Sequence, residues 1–287
     1  MPSLLTPEYL WRPRQILRRL SFKQTEHAVP LPLPWNCTIT ACSAESIGRS
    51  IATQGVYDLP ITEAIMRLAG SGETSLDIGG NIGYMSLVLA LSVGPRGRVF
   101  CFEPNPKIIP TLRTNIKNWR SLPIAPIEVA TIALSDRDGD GYLAFPAGFE
   151  QNWGIASLET NGSMPVSLRR LDSLETGPVG MMKVDVEGHE AAVFSGAEHL
   201  LGKKLVRDIL FEEHDPYPAA SHRILCQHGY HIFRLTRSAW RPLLLPPQAS
   251  SGLPFLQSNF LATKDPSRAQ SRFRAWGWLA LSGFRRS

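Results

Sequence analysis

Short apolar runs that stop on glycine or on an acid set the pattern along the middle of the chain. Leu76 and Ile78 close one run against Gly79-Gly-Asn-Ile-Gly83, and Arg98-Val-Phe-Cys-Phe102 closes another against Glu103. Runs of this kind predict buried strands. Further strands are expected over residues 127–134, 142–145, 164–168, 181–186 and 208–211, with 230–235 and 260–263 as a closing antiparallel pair. Helical spacing covers 61–68, 85–91, 107–119, 191–201 and part of 216–229, and a short amphipathic helix fits within 9–22, after Pro13. Asp58 and Pro60 mark a helix start, aspartate suiting the cap and proline the first turn. Asp138-Gly-Asp-Gly141 reads as a hairpin turn. Strands alternating with helices predict an α/β fold with helices on both faces of a mostly parallel sheet. Ligands of such sheets sit at the carboxyl ends of the strands.

The stretch Ser75-Leu-Asp-Ile-Gly-Gly-Asn-Ile-Gly-Tyr84 carries the first sign of chemistry. Glycine has no Cβ, so Gly79, Gly80 and Gly83 let backbone come close to a ligand. The loop opens an apolar helix whose first N–H groups are free to meet an anion. Glu103 follows at the tip of the next strand, where a ribose presents its hydroxyls. Strand, glycine loop, helix, strand and acid together describe a nucleoside pocket. Asp77, two residues before the first glycine, would repel a pyrophosphate. It suits the ammonium of S-adenosylmethionine, whose one carboxylate can meet the helix terminus. Asn81 stands where another loop glycine is common, and asparagine tolerates left-handed backbone.

At 287 residues, with 43% hydrophobic and 19% charged side chains, the chain can bury a sizeable core. Cys37, Cys42, Cys101 and Cys226 show no C-x-x-C spacing and no paired framework, which suggests reduced thiols and a cytoplasmic location. The net charge of +5 is unevenly placed: residues 1–30 hold five basic and two acidic side chains, residues 264–287 six and one. The slightly acidic middle, with no basic stripe of stacked aromatics at its pocket, argues against a nucleic-acid partner. Three parts are expected: an N-terminal basic, helical extension (1–55), an α/β domain (56–263) and a basic aromatic tail (264–287). In the tail Arg272, Arg274, Arg285 and Arg286 interleave with Phe273, Trp276, Trp278 and Phe284. Such a segment packs back on the domain, stays disordered, or rests on an anionic membrane surface. No apolar run approaches the roughly 18 residues that span a bilayer. Pro2, Pro7, Glu8 and Pro13 interrupt any signal-peptide core.

Four motifs occur in order: Asp77-Ile-Gly-Gly-Asn-Ile-Gly83, Phe102-Glu-Pro-Asn-Pro106, Ala133-Leu-Ser-Asp136 and Lys183-Val-Asp-Val-Glu-Gly-His-Glu190. As a set, over about residues 56–235, they resemble the FkbM family of S-adenosylmethionine-dependent methyltransferases. The resemblance implies a Rossmann-like class I methyltransferase fold with a seven-stranded sheet. It also implies methyl transfer to a hydroxyl on a sugar, glycan or secondary-metabolite acceptor. Under it, Asp77, Gly79, Asn81 and Gly83 line the methionine end, with Gly80 and Tyr84 in the same stretch. Glu103 binds the ribose hydroxyls with Asn105 beside it, and Ser135 and Asp136 lie by the adenine. Gly80 departs from the pattern, since the family usually has alanine there.

Displacement at a methyl group gains most of its rate from positioning, and a hydroxyl acceptor also needs a base within hydrogen-bond reach. A period of two puts Lys183, Asp185 and Glu187 on one strand face. Asp185 is the first candidate to contact acceptor or cofactor, against the plainer reading of a structural Lys183–Asp185 pair. Glu212 and His214 share a face of the neighbouring strand, and histidine is a residue type suited to act as a base. Alternatively Asp185, Glu212 and His214 hold a divalent metal, which their spacing does not favour. His189 reads as a cap or surface residue, and Trp153 as a platform for a sugar or as simple packing. Two other classes share these features: a nicotinamide-dependent Rossmann oxidoreductase, and a non-catalytic accessory protein recruited to a membrane.

Overall fold

The computed structural model describes residues 6–145, 157–159, 162–250 and 258–282; Trp153 and the tail residues Phe284, Arg285 and Arg286 lie outside them. Eight strands make the main sheet: β1 (Thr74–Ile78), β2 (Arg98–Phe102), β3 (Ile127–Ala130), β4 (Val179–Val184), β5 (Val206–Glu212), β6 (His231–Arg237), β7 (Pro242–Leu245) and β8 (Asn259–Thr263). Their spatial order is β7-β6-β8-β5-β4-β1-β2-β3. From β3 through to β5 all neighbours run parallel. β8 then enters antiparallel between β5 and β6, the closing pair the pattern predicts. The sheet has one strand more than the expected seven. The addition is the edge strand β7, which starts on Pro242, where a missing N–H costs no ladder bond.

β4 is buried along its whole length, as a central parallel strand covered on both faces must be. Helices Leu59–Leu68 and Tyr84–Val93 cover one face, and Glu190–Ser195, Glu198–Gly202 and Ala220–Gln227 the other. Asp58 caps the first of these, its carboxylate accepting from Ile61 N–H at 3.1 Å.

Several boundaries differ from the periodicity, each for a local reason. The run 127–134 divides after Ala130, and Ala133–Leu134 joins a second, four-stranded sheet with Gly139–Ala144, Ser157–Glu159 and Met164–Arg169. Ser135 and Asp136 therefore follow the smaller sheet and not the end of β3. Gly139 and Gly141 lie in a strand instead of a turn, because a Cβ at Gly141 would meet the Leu168 side chain at 2.9 Å and glycine lets the two strands close. The helix over 191–201 breaks at Gly196, where a Cβ would lie 1.9 Å from the Ser135 carbonyl oxygen. The amphipathic helix expected after Pro13 runs from Arg14 to Leu20, and a separate short helix, Pro7–Trp11, precedes it.

Residues 264–282 pack on the domain. The buried Arg67 guanidinium donates to the carbonyls of Arg272, Ala275 and Gly277 at 2.8, 2.9 and 2.8 Å. Glu63, paired with Arg67 at 2.7 Å, accepts from the N–H groups of Leu279 and Ala280.

Candidate active site

The glycine loop turns sharply off β1 and is pinned to β2. Gly79 and Gly80 N–H both donate to the Phe102 carbonyl at 3.0 Å. Gly79 has φ +80°, and a Cβ there would meet the Asp185 carbonyl oxygen at 1.9 Å, so only glycine fits between β1 and the end of β4. Asn81 takes φ 47°, the left-handed backbone that asparagine tolerates. Its N–H donates to Glu103 at 2.8 Å, and Asn105 N–H donates to the other Glu103 oxygen at 2.8 Å. Glu103 is thus held across the loop by two backbone donors, with acceptor capacity left on both oxygens. Burial pushes its carboxyl up to about 7 despite those donors.

Gly79, Gly80, Asn81, Tyr84, Glu103 and Asn105 line one cleft. Asp77 sits behind them, fully buried: Ser86 donates to one oxygen at 2.5 Å, and the other has no hydrogen-bond donor, with Lys183 Nζ 3.7 Å away. Gly83 faces away from the cleft, against Leu112 and Trp119. Ser135 and Asp136 lie beside the cleft without lining it. The apolar walls there are Phe102, Ile132, Ala133, Leu134, Leu143 and Leu158. Ser135 Oγ is 2.9 Å from His189 Nε2, which ties the smaller sheet to the turn after β4.

That turn carries the second half of the site. Lys183 reaches from β4 to Asp185 at 3.2 Å and donates to the Gly79 carbonyl at 3.1 Å. Burial opposes its charge, but Asp185 and Asp77 outweigh it and raise its pKa. Glu187 and Gly188 both adopt positive φ, +51° and +91°, and Glu190 latches the turn by accepting from Val186 and Gly188 N–H. Asp185 and Glu187 also line the cleft, with Ser46, Ile47 and Tyr57 from the N-terminal region on its far side.

A small recess adjoins the cleft, sharing Tyr57, Met85, Lys183 and Asp185 with it and adding Asp58, Glu212 and Asn259. Glu212 is 8% exposed and its Oε1 has no hydrogen-bond donor. Burial first, then the charge of Asp185, pushes its carboxyl up to about 8. His214 Nε2 lies 3.6 Å from Glu212, but its side chain is 62% exposed and lines neither cavity. Among the described residues no three His, Cys, Asp or Glu side chains are placed to hold a metal ion. Asp185, Glu212 and His214 therefore do not form the metal site weighed as an alternative. Tyr57, Asp58 and Asn259 escape sequence reasoning because they lie outside the four motifs; the Asp58-Leu-Pro60 cap was the one visible signal.

The family profile of the FkbM methyltransferase domain matches residues 77–232, just over half of the chain. The chain is 30% identical over 167 residues, 56% of its length, to the hexuronic acid methyltransferase AglP of Haloferax volcanii. It is 28% identical over 148 residues, 45% of its length, to the 2-O-methyltransferase NoeI of Sinorhizobium fredii. It spans 64% and 58% of the lengths of these curated relatives. A crystal structure of methyltransferase FkbM from Methylobacillus flagellatus superposes on 68% of this chain and 44% of its own, with a TM-score of 0.45 and 14% identity.

Proposed function

The chain belongs to the FkbM methyltransferase family, and from that premise we propose that it moves a methyl group from S-adenosylmethionine to a hydroxyl of a sugar-type acceptor. The observation that carries this reading is Glu103, held by two backbone N–H groups directly across from the glycine loop. A carboxylate so fixed is pre-oriented for the paired hydroxyls of a ribose. The rest of the cleft fits the same cofactor. The apolar walls suit a flat base, and the buried Asp77 with the half-buried Asp185 suits a donor that bears positive charge. A nicotinamide oxidoreductase finds no such support, because its pyrophosphate would face those acids.

When bound, the cofactor supplies a methyl group activated by a sulfonium. The protein's part is to hold, orient and deprotonate. Glu103 accepts from the ribose, and the loop backbone at Gly79–Asn81 sets the depth of the donor. Lys183 fixes Asp185 at the mouth of the recess, where Asp185 orients the acceptor hydroxyl. Glu212 takes the hydroxyl proton: it lines the recess with a free oxygen, whereas His214 does not reach it. His214 then serves as the outer neighbour of Glu212. A sugar-type acceptor accords with the name of the hexuronic acid methyltransferase and transfer to oxygen with that of the 2-O-methyltransferase, and the acidic recess of this chain favours an acceptor without a carboxylate. Calorimetry tests the premise directly. S-adenosylmethionine should bind the wild type, and Glu103→Ala should lose that binding while its melting transition stays cooperative. Unchanged affinity in the variant, or binding of NAD in its place, overturns the assignment.

A further inference from the structure

Large apolar side chains left in solvent are ordinary when scattered and informative when gathered. Among the described residues seven of the eight that stand exposed, Leu10, Trp11, Leu17, Leu20, Trp240, Trp276 and Leu279, come from three segments. These segments meet. Trp11 and Trp278 both donate their indole N–H to the Ala239 carbonyl at 3.2 Å, and Gly277 N–H donates to the Trp240 carbonyl at 3.0 Å. The Trp240 and Trp276 rings lie 6.2 Å apart, and Gly277 packs against Trp11. Helix Pro7–Trp11 rests on helix Leu279–Ser282. Trp276 is 74% exposed at this junction, and Leu17 and Leu20, on the helix that follows Trp11, are 68% and 76% exposed, so most of their apolar surface faces solvent.

Charge then selects the occupant. Residues 7–20, 238–245 and 266–282 contain eight arginines and a single acid, Glu8. Glu8 is buried and paired with Arg237, so it offers no negative charge outward. Arg14, Arg18, Arg272 and Arg274 are exposed within the same segments. Tryptophan and leucine set among arginines match the boundary of an anionic bilayer, where indoles settle at headgroup depth and guanidinium groups meet phosphate. No helix among the described residues is long and apolar enough to cross a membrane, so such contact is peripheral. We propose that this composite face, and not a free tail, docks the protein on the surface of an anionic lipid bilayer. Helix Arg14–Leu20 also packs on helix Ser46–Gln54, whose first residues line the cleft. The docking face and the cleft are therefore one helix apart.

Sedimentation of the full chain with vesicles tests this without any assay of activity. Vesicles of phosphatidylcholine containing phosphatidylglycerol should carry the protein down, neutral phosphatidylcholine vesicles should carry far less, and added salt should release it. Trp240→Ser with Trp276→Ser should lower partition by about tenfold or more. Arg14→Glu with Arg274→Glu should abolish the preference for phosphatidylglycerol while leaving the melting temperature near that of the wild type. Absent sedimentation, equal binding to both vesicles, or full binding by the tryptophan double variant overturns the proposal. So does a dimer in solution that Trp276→Ser dissolves, which would give this face to a second copy of the chain.

Discussion

At the residue scale, Gly80 and Cys101 explain each other. A Cβ on Gly80 would lie 2.2 Å from the buried Cys101 Sγ, while the backbone of Gly80 is not left-handed. Space alone therefore keeps alanine out of this position. Gly80→Ala should destabilise the protein by about 1–3 kcal/mol through overpacking. The double variant with Cys101→Ala should regain most of that loss, a coupling that urea titration of the four proteins measures. Glu212 gives a second expectation. A proton acceptor must first lose its own proton, and burial sets that step at about 8. Turnover should therefore climb through about pH 8 in the wild type, and Glu212→Gln should lose both that rise and most of the rate, as initial rates across pH will show. Such residues divide by how the sequence displays them. Glu103 and Asn81 were legible because each ends or follows an apolar run. Cys101 as the reason for Gly80 was not, since the two meet only when β1 and β2 are paired.

At the scale of elements, the strands of the parallel half were legible because burial on both faces makes them unbroken apolar runs bounded by polar tips. The smaller sheet was not, for Ile127 to Leu134 reads as one strand until Ala130 and Ala133 part between two sheets. The turn after β4 was visible as a motif, yet the role of Glu190 as its latch rests on a fold-back that periodicity does not encode. Residues 264–282 make the same point through polar groups. Glu63 and Arg67 sit one helical turn apart, the spacing of an ordinary helical ion pair. In the structure both are buried and collect the backbone of the last helices. Removing one partner leaves the other charged, buried and short of partners. Arg67→Met should cost about 3–5 kcal/mol in urea unfolding, and Arg67→Met together with Glu63→Gln should cost much less than the sum of the two single changes.

At the scale of the whole molecule, the cleft concentrates carboxyls whose protonation is tied to folding and to binding. Glu103 rises from 4.5 to about 7 and Glu212 from 4.5 to about 8, in both cases first because burial penalises the ionised form. Between those limits the folded chain holds protons that the unfolded chain has released. Stability contributed by these groups is therefore present below about 4.5 and is lost as pH rises through about 7 and 8. Ligand binding runs the other way. A ribose that donates its hydroxyls to Glu103 favours the ionised carboxylate, so binding expels the proton the empty site retains. The affinity for S-adenosylmethionine should accordingly strengthen as pH rises from 6 to about 8 and level off above it. Calorimetry in buffers of different ionisation heat should register the proton released near pH 6. In Glu103→Gln, which cannot titrate, both the proton release and the pH dependence tied to it should disappear, leaving a weaker but flat affinity. A pH dependence that survives this substitution would place the responsible carboxyl elsewhere at the site, with Asp77, behind the glycine loop, the next to test.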